Sequence, residues 1–118
     1  MSHTILQPPG WARPRGYANG IAAEGRQVFV AGQIGWDTEQ RIVSDDFAAQ
    51  ARQALANVIA VLACAGAQPE HLVRLTWYVT SRDEYNASLA SIGASYREFI
   101  GRNFPAMSVV VVAALLEP

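Results

Sequence analysis

Near its C-terminal end the chain carries Val109-Val110-Val111-Val112-Ala113-Ala114-Leu115-Leu116, an apolar run that limits what the rest can fold into. Side chains of a strand alternate between two faces, so a strand here is apolar on both. One face can meet the chain's own helices. The other would expose roughly several hundred Å2 of apolar surface, which soluble monomers rarely do. Burying it at ~25 cal/mol per Å2 supplies several kcal/mol per subunit before the entropy cost of association. The run therefore predicts an obligate oligomer. It is entered from a proline-broken turn, Asn103-Phe104-Pro105-Ala106-Met107-Ser108. Rigid junctions of this kind hold ligand groups well, and the residue at this one is Met107.

Upstream, the pattern predicts one domain over residues 1–118, beginning with an irregular arm over 1–15 that contains Pro8-Pro9-Gly10 and Pro14. A first strand is expected over 16–23 and a second over 27–33, joined as a hairpin by Glu24-Gly25-Arg26. A short strand is expected at 41–43. A helix follows from Ser44 as N-cap, with Asp45 and Asp46 in its first turn. Phe47, Ala51, Leu55, Val58, Leu62 and Ala65 mark its buried stripe, and Gly66 its stop. Residues 71–80 alternate as a half-buried strand. Ser81 and Glu84 form a capping box for a second helix, which runs to Gly101 with Tyr85, Leu89, Ile92, Tyr96 and Phe99 inward. Two helices can cover only one face of a four-stranded sheet.

Composition excludes several function classes. The formal charge of −1 lacks the basic excess of a nucleic-acid module. All nine basic residues are Arg, which reads as coding bias first. The single cysteine, Cys64, cannot form an intrachain disulfide and is expected as a small buried hydrophobe. No window reaches the ~18 apolar residues of a membrane span, and no signal peptide is evident, so the expected location is cytoplasmic. His3 and His71 are far apart in sequence, so neither a metal site nor a histidine triad is expected, and no cofactor motif occurs.

What remains are junction residues. Gly16-Tyr17-Ala18-Asn19-Gly20 sets a tyrosine among small residues, and Ala31-Gly32-Gln33-Ile34-Gly35-Trp36 ends a strand with glycines and an aromatic. Glycine there permits close approach of a ligand to the backbone. Taken singly, Tyr17 is equally an interface aromatic, and the glycines equally serve a bulge.

Together these segments resemble the Rid/YjgF family of small enamine/imine deaminases, formerly labelled endoribonucleases. The resemblance rests on Gly16-Tyr17, on Ala31-Gly32-Gln33-Ile34, on Gln50-Ala51-Arg52-Gln53-Ala54-Leu55-Ala56-Asn57, and on Phe104-Pro105-Ala106 with its Val-rich strand. It implies an α+β, chorismate-mutase-like fold: a mainly antiparallel sheet with two helices on one face, assembled as a homotrimer with small-molecule clefts between subunits. In active members an arginine after Phe-Pro-Ala clamps the substrate carboxylate; Met107 stands there and has neither charge nor donor. An asparagine of the active pattern aligns with Gly93, and a serine with Ala31. A glutamate that positions water is expected on a strand beyond Pro118.

The ligand contacts expected from this alignment are Tyr17, Ala31, Gly32, Trp36, Gly93 and Met107, with no catalytic base identified. Loss of the clamp forfeits ~3 kcal/mol, or two decades in rate. The expected protein is thus a divergent deaminase for a bulkier, more apolar enamine or imine. The alternative is a non-catalytic binding or scaffold protein on the same fold.

Overall fold

The computed structural model describes residues 3–116. It has four strands in two small sheets and three helices. Strand β1 (His3–Leu6) pairs antiparallel with β2 (Gly20–Ala23), His3 opposite Ala23 and Leu6 opposite Gly20. Helix α1 (Phe47–Ala63) follows, then a single 3-10 turn at Pro69–His71. Strand β3 (Arg74–Val79), helices α2 (Arg82–Ala87) and α3 (Leu89–Phe99), and β4 (Ala106–Val111) complete the chain. β3 and β4 run parallel in register, Leu75 beside Met107 and Tyr78 beside Val110. A parallel pair requires a crossover, and α2–α3 provides it.

Local chemistry explains the helix ends. Asp46 Oδ2 accepts from the Ala49 amide at 3.0 Å and so caps α1. Ser44, the expected cap, instead accepts from the Asp46 amide at 3.0 Å and turns the chain into that cap. The α1 C-terminus closes as a Schellman motif. The Gly66 amide reaches Ala63 O and the Ala67 amide reaches Leu62 O, each at 3.0 Å. Gly66 has φ 71°, which glycine adopts without strain. Ser81 Oγ accepts from the Glu84 amide at 3.1 Å, as the sequence predicts.

The core lies between α1, α3 and one face of β3–β4. Leu55, Tyr96 and Ile100 form its buried centre, with Ile59, Leu72, Leu75, Trp77, Phe99 and Met107 packed around them. The opposite face of that sheet has no cover among the described residues: Tyr78 is 60 % and Val110 39 % exposed.

Several expectations are corrected. The predicted hairpin is absent: β2 pairs instead with β1, which comes from the supposedly irregular arm. Residues 27–33 form no strand, and Phe29 is 87 % exposed. Side chains hold this stretch along α1 instead. Arg26 Nη2 donates to Ala65 O at 2.8 Å, and Asn57 Nδ2 donates to Ile34 O and Trp36 O at 3.1 and 2.9 Å. The single four-stranded, mainly antiparallel sheet is replaced by one antiparallel and one parallel pair. Residues 41–43 contribute one isolated bridge, Trp36 to Ile42. The second helix breaks at Ser88 (φ −106°, ψ 10°), where Asn86 and Ser88 are residues whose side chains compete with helical backbone bonds. Cys64 is exposed, since it lies some 200° around the helix from Leu62. Among the described residues no helix is long and apolar enough to cross a membrane.

Candidate functional site: a cleft beside β4

A cleft of about 620 Å3 opens between α3, β3–β4 and the segment before β2. Its floor and walls come from Trp77, Tyr85, Leu89, Ile92, Tyr96, Phe104, Met107 and Val109, so it is largely apolar and aromatic. Arg15, Arg97 and Arg102 also line it. No Asp, Glu, His or Cys does so among the described residues.

The backbone sets Tyr17 beside the segment that leads into Met107. The Ala18 amide donates to Pro105 O at 3.0 Å, and Ala18 bridges Ala106 in parallel. Ala18 and Pro105 are both buried at this joint. Gly16, at φ 77°, turns the chain into it. Met107 is fixed by the ladder to Leu75 and by its packing against the core.

The turn leading to β4 is pinned from α3. Tyr96 Oη donates to Asn103 O at 2.6 Å, and Asn103 Nδ2 donates to Ile100 O at 2.8 Å. The Tyr96 and Phe104 rings stack at 5.7 Å with a 5° interplanar angle. Tyr85 meets Trp77 and Phe47 edge-on. The Trp77 Nε1 is buried with no hydrogen-bond partner among the described residues.

Of the six residues expected at a ligand site, the cleft gathers Tyr17, Gly93 and Met107. Trp36 lines a separate depression of about 240 Å3, with Gln33, Asp37 and Asn57. Its loop is closed by Asp37, whose carboxylate accepts from the Arg41 and Glu39 amides, bonds that hold its pKa below the usual value. Ala31 and Gly32 line neither. His71 is occupied elsewhere, its Nδ1 accepting from the Gln68 amide at 3.0 Å.

The sequence profile of the endoribonuclease L-PSP family matches residues 12–118. The chain belongs to this family. A 2-iminobutanoate/2-iminopropanoate deaminase of Salmonella typhimurium is 35 % identical over 118 residues, covering 98 % of this chain and 88 % of that protein. The human protein of the same name is 31 % identical over 113 residues, covering 95 % and 77 %. The crystal structure of YyfB from Yersinia pestis, a Rid-family protein of unknown function, matches with a TM-score of 0.86 and 34 % identity, over 100 % of this chain and 91 % of that one.

In this L-PSP chain, sequence reasoning overlooked the three arginines and Trp77. The signal was available for the arginines. Arg15 and Arg102 each adjoin a glycine with positive φ, next to the segments that carry the resemblance, and Arg97 is one helical turn after Gly93. Trp77 was legible only as core, because a period of two says which side faces inward and not what cavity it borders.

Tyr96 gives the L-PSP cleft an alkaline limit. Burial pushes its pKa from 10.0 to about 12. The folded state keeps the proton that the unfolded chain releases first, so this contribution is whole below pH 10 and is lost as pH rises from 10 to about 12. The loss is on the order of 2 kcal/mol. Urea midpoints measured across that range should fall steeply for the wild type and less for Tyr96→Phe.

Proposed function

We propose that the chain is a homotrimer whose clefts lie at subunit boundaries, and that each cleft hydrolyses an enamine or imine larger and more apolar than 2-iminobutanoate. The observation that carries this reading is Met107 near the head of β4, lining with Tyr17 an aromatic-walled cleft of about 620 Å3. The deaminase names of the relatives support the reaction class. A thioether cannot hold a small imino acid by its carboxylate, whereas it packs well against apolar and aromatic groups. Uncovered Tyr78 and Val110 support the assembly, since their face would otherwise meet water.

The chemistry asks little of the protein. Water adds to the iminium carbon, one of its protons passes to nitrogen, and the C–N bond breaks as the remaining hydroxyl proton also goes to the departing nitrogen, leaving a carbonyl and ammonium. Exclusion of bulk water and orientation of the iminium carbon would supply most of the acceleration. With no Asp, Glu or His lining the cleft among the described residues, the leaving nitrogen itself is the natural proton acceptor.

That same lack of an acid or base favours one second reading, a binding protein that retains the cleft without turnover. Ammonia release separates the two. Imines generated in situ from alanine, 2-aminobutyrate, leucine and phenylalanine would be offered to the wild type and to Met107→Arg. The enzyme reading expects the wild type to release ammonia from the phenylalanine and leucine imines at least tenfold faster than from the small ones. Met107→Arg should shift that preference toward 2-iminobutanoate. Saturable binding with no ammonia from any imine would overturn the enzyme reading. RNA cleavage is disfavoured by the −1 charge.

A further inference from the structure

We infer that the indole N–H of Trp77 is a ligand donor of the cleft, uncovered by movement of Tyr85, and that the ligand carries an uncharged oxygen acceptor on its apolar body. This rests on the reading of the cleft as a small-molecule site and narrows the class of compound it takes.

Trp77 brings an unmet donor to the cleft. Its Nε1 is buried and has no hydrogen-bond partner among the described residues. An indole nitrogen only donates, so no change of tautomer can relieve it. Buried polar groups are rarely left in this state, because the cost of desolvation is then uncompensated. The Tyr85 ring, edge-on at 6.4 Å between centroids, offers at most a second-order N–H···π contact.

The donor is carried by a strand of the core. β3 and β4 run in register, Trp77 beside Val109 and Leu75 beside Met107. Trp77, Met107 and Val109 all line the cleft, and the Trp77 ring packs against the buried centre of Leu55, Tyr96 and Ile100. A group held this way is a better recognition element than one on a loop. Apolar surroundings strengthen a single hydrogen bond and make a charged partner costly to desolvate. A neutral ketone, amide or hydroxyl oxygen therefore fits. A protonated imine nitrogen does not, since it has no lone pair to offer. The acceptor belongs to a part of the ligand away from the reacting carbon.

The cover over this donor is lightly anchored. Tyr85 lines the cleft and meets the Trp77 ring. It is the one half-buried residue of α2, whose other five are exposed. Helix α2 thus packs on the body through a single aromatic, which also meets Phe47 edge-on at 6.3 Å. It ends at the Ser88 break, where one amide is shared between Glu84 O and Tyr85 O at 3.1 Å each. So short a helix can swing on its two ends without disturbing the core. Trp77 Nε1 is closed to solvent, so a ligand oxygen reaches it as Tyr85 turns aside.

The test uses acetophenone and α-methylstyrene, which share a shape and differ by a carbonyl oxygen against a methylene. Each is titrated into the isotope-labelled full chain while the indole N–H signals of its three tryptophans are followed by NMR. Trp11→Phe and Trp36→Phe identify the other two signals. Acetophenone should move the Trp77 indole proton downfield and saturably, and α-methylstyrene should not. Trp77→Phe should cut the affinity ratio of the two probes by about fivefold, the worth of one neutral hydrogen bond. The wild-type titrations decide alone if that variant does not fold. Tyr85→Ala should speed solvent exchange of the Trp77 indole proton in the free protein, and acetophenone should slow it again. Equal displacement of the signal by both probes, binding of neither, or an unchanged ratio in a folded Trp77→Phe would overturn the proposal. So would a water that stays on the indole proton in the acetophenone complex. Unchanged exchange in Tyr85→Ala would overturn the role of Tyr85 as cover. Ammonia release without discrimination between the probes defeats only this proposal. Discrimination without ammonia release defeats only the deaminase reading.

Discussion

Val110→Asp is expected to convert the proposed trimer into a monomer of 12.8 kDa in sedimentation velocity. The side chain sits beside Tyr78 on the face of β3–β4 that turns away from α1 and α3. Burying that face against partner sheets is what an apolar strand on both sides demands. A carboxylate there would have to be desolvated without a cation nearby, and the effective penalty is several kcal/mol per ion. Three such groups would meet near a threefold axis, so dissociation should be complete at micromolar concentration. Ammonia release should vanish with it, because the proposed cleft needs a neighbour. A variant that still sediments at three times the single-chain mass would sink the proposed interface.

Gly35→Ala should be the most damaging of the small substitutions. A Cβ at position 35 would lie 2.7 Å from both Cα and Cβ of Gln50, and the first of these is backbone. The helix cannot yield locally, since Gln50 Nε2 is tied to Ser44 O at 2.7 Å and the Gln50 amide to Asp46 O at 3.0 Å. Either α1 or the loop must move, at a cost of about 3 kcal/mol. In a domain of this size that lowers Tm by roughly 10 °C or more. Gly32, where a Cβ meets nothing within 4 Å, is the matched control and should tolerate alanine.

The sequence carried a good deal of this. Ser81 and Glu84 announced the start of α2, Gly66 the end of α1, and the alternation of Leu75, Trp77 and Val79 the inward face of β3, because each follows from local chemistry that no tertiary contact overrode. The misses have the opposite character. Residues 27–33 have a strand's composition, but composition does not supply a partner, and β2 pairs with β1 instead. Cys64 was misplaced by composition alone, although two residues after Leu62 put it on the far side of the helix. At the site, Tyr17, Gly93 and Met107 were reached through resemblance, and the structure gathers them in one cleft while Trp36 faces another. The arginines were passed over because Arg15 joins Arg97 and Arg102 at one cleft only once the chain has folded, although each stands near a segment that carried the resemblance.

The backbone joint between Ala18 and Pro105 has a kinetic consequence. It closes a loop of 87 positions, from 18 to 105, with one amide hydrogen bond and one isolated bridge. Contacts that close so long a loop recover their entropy cost only after local elements have formed. Helices α1 and α3 and the β3–β4 ladder can assemble without it. The Tyr17 wall should therefore dock last in folding and detach first on heating, so that loss of ligand binding precedes loss of helix.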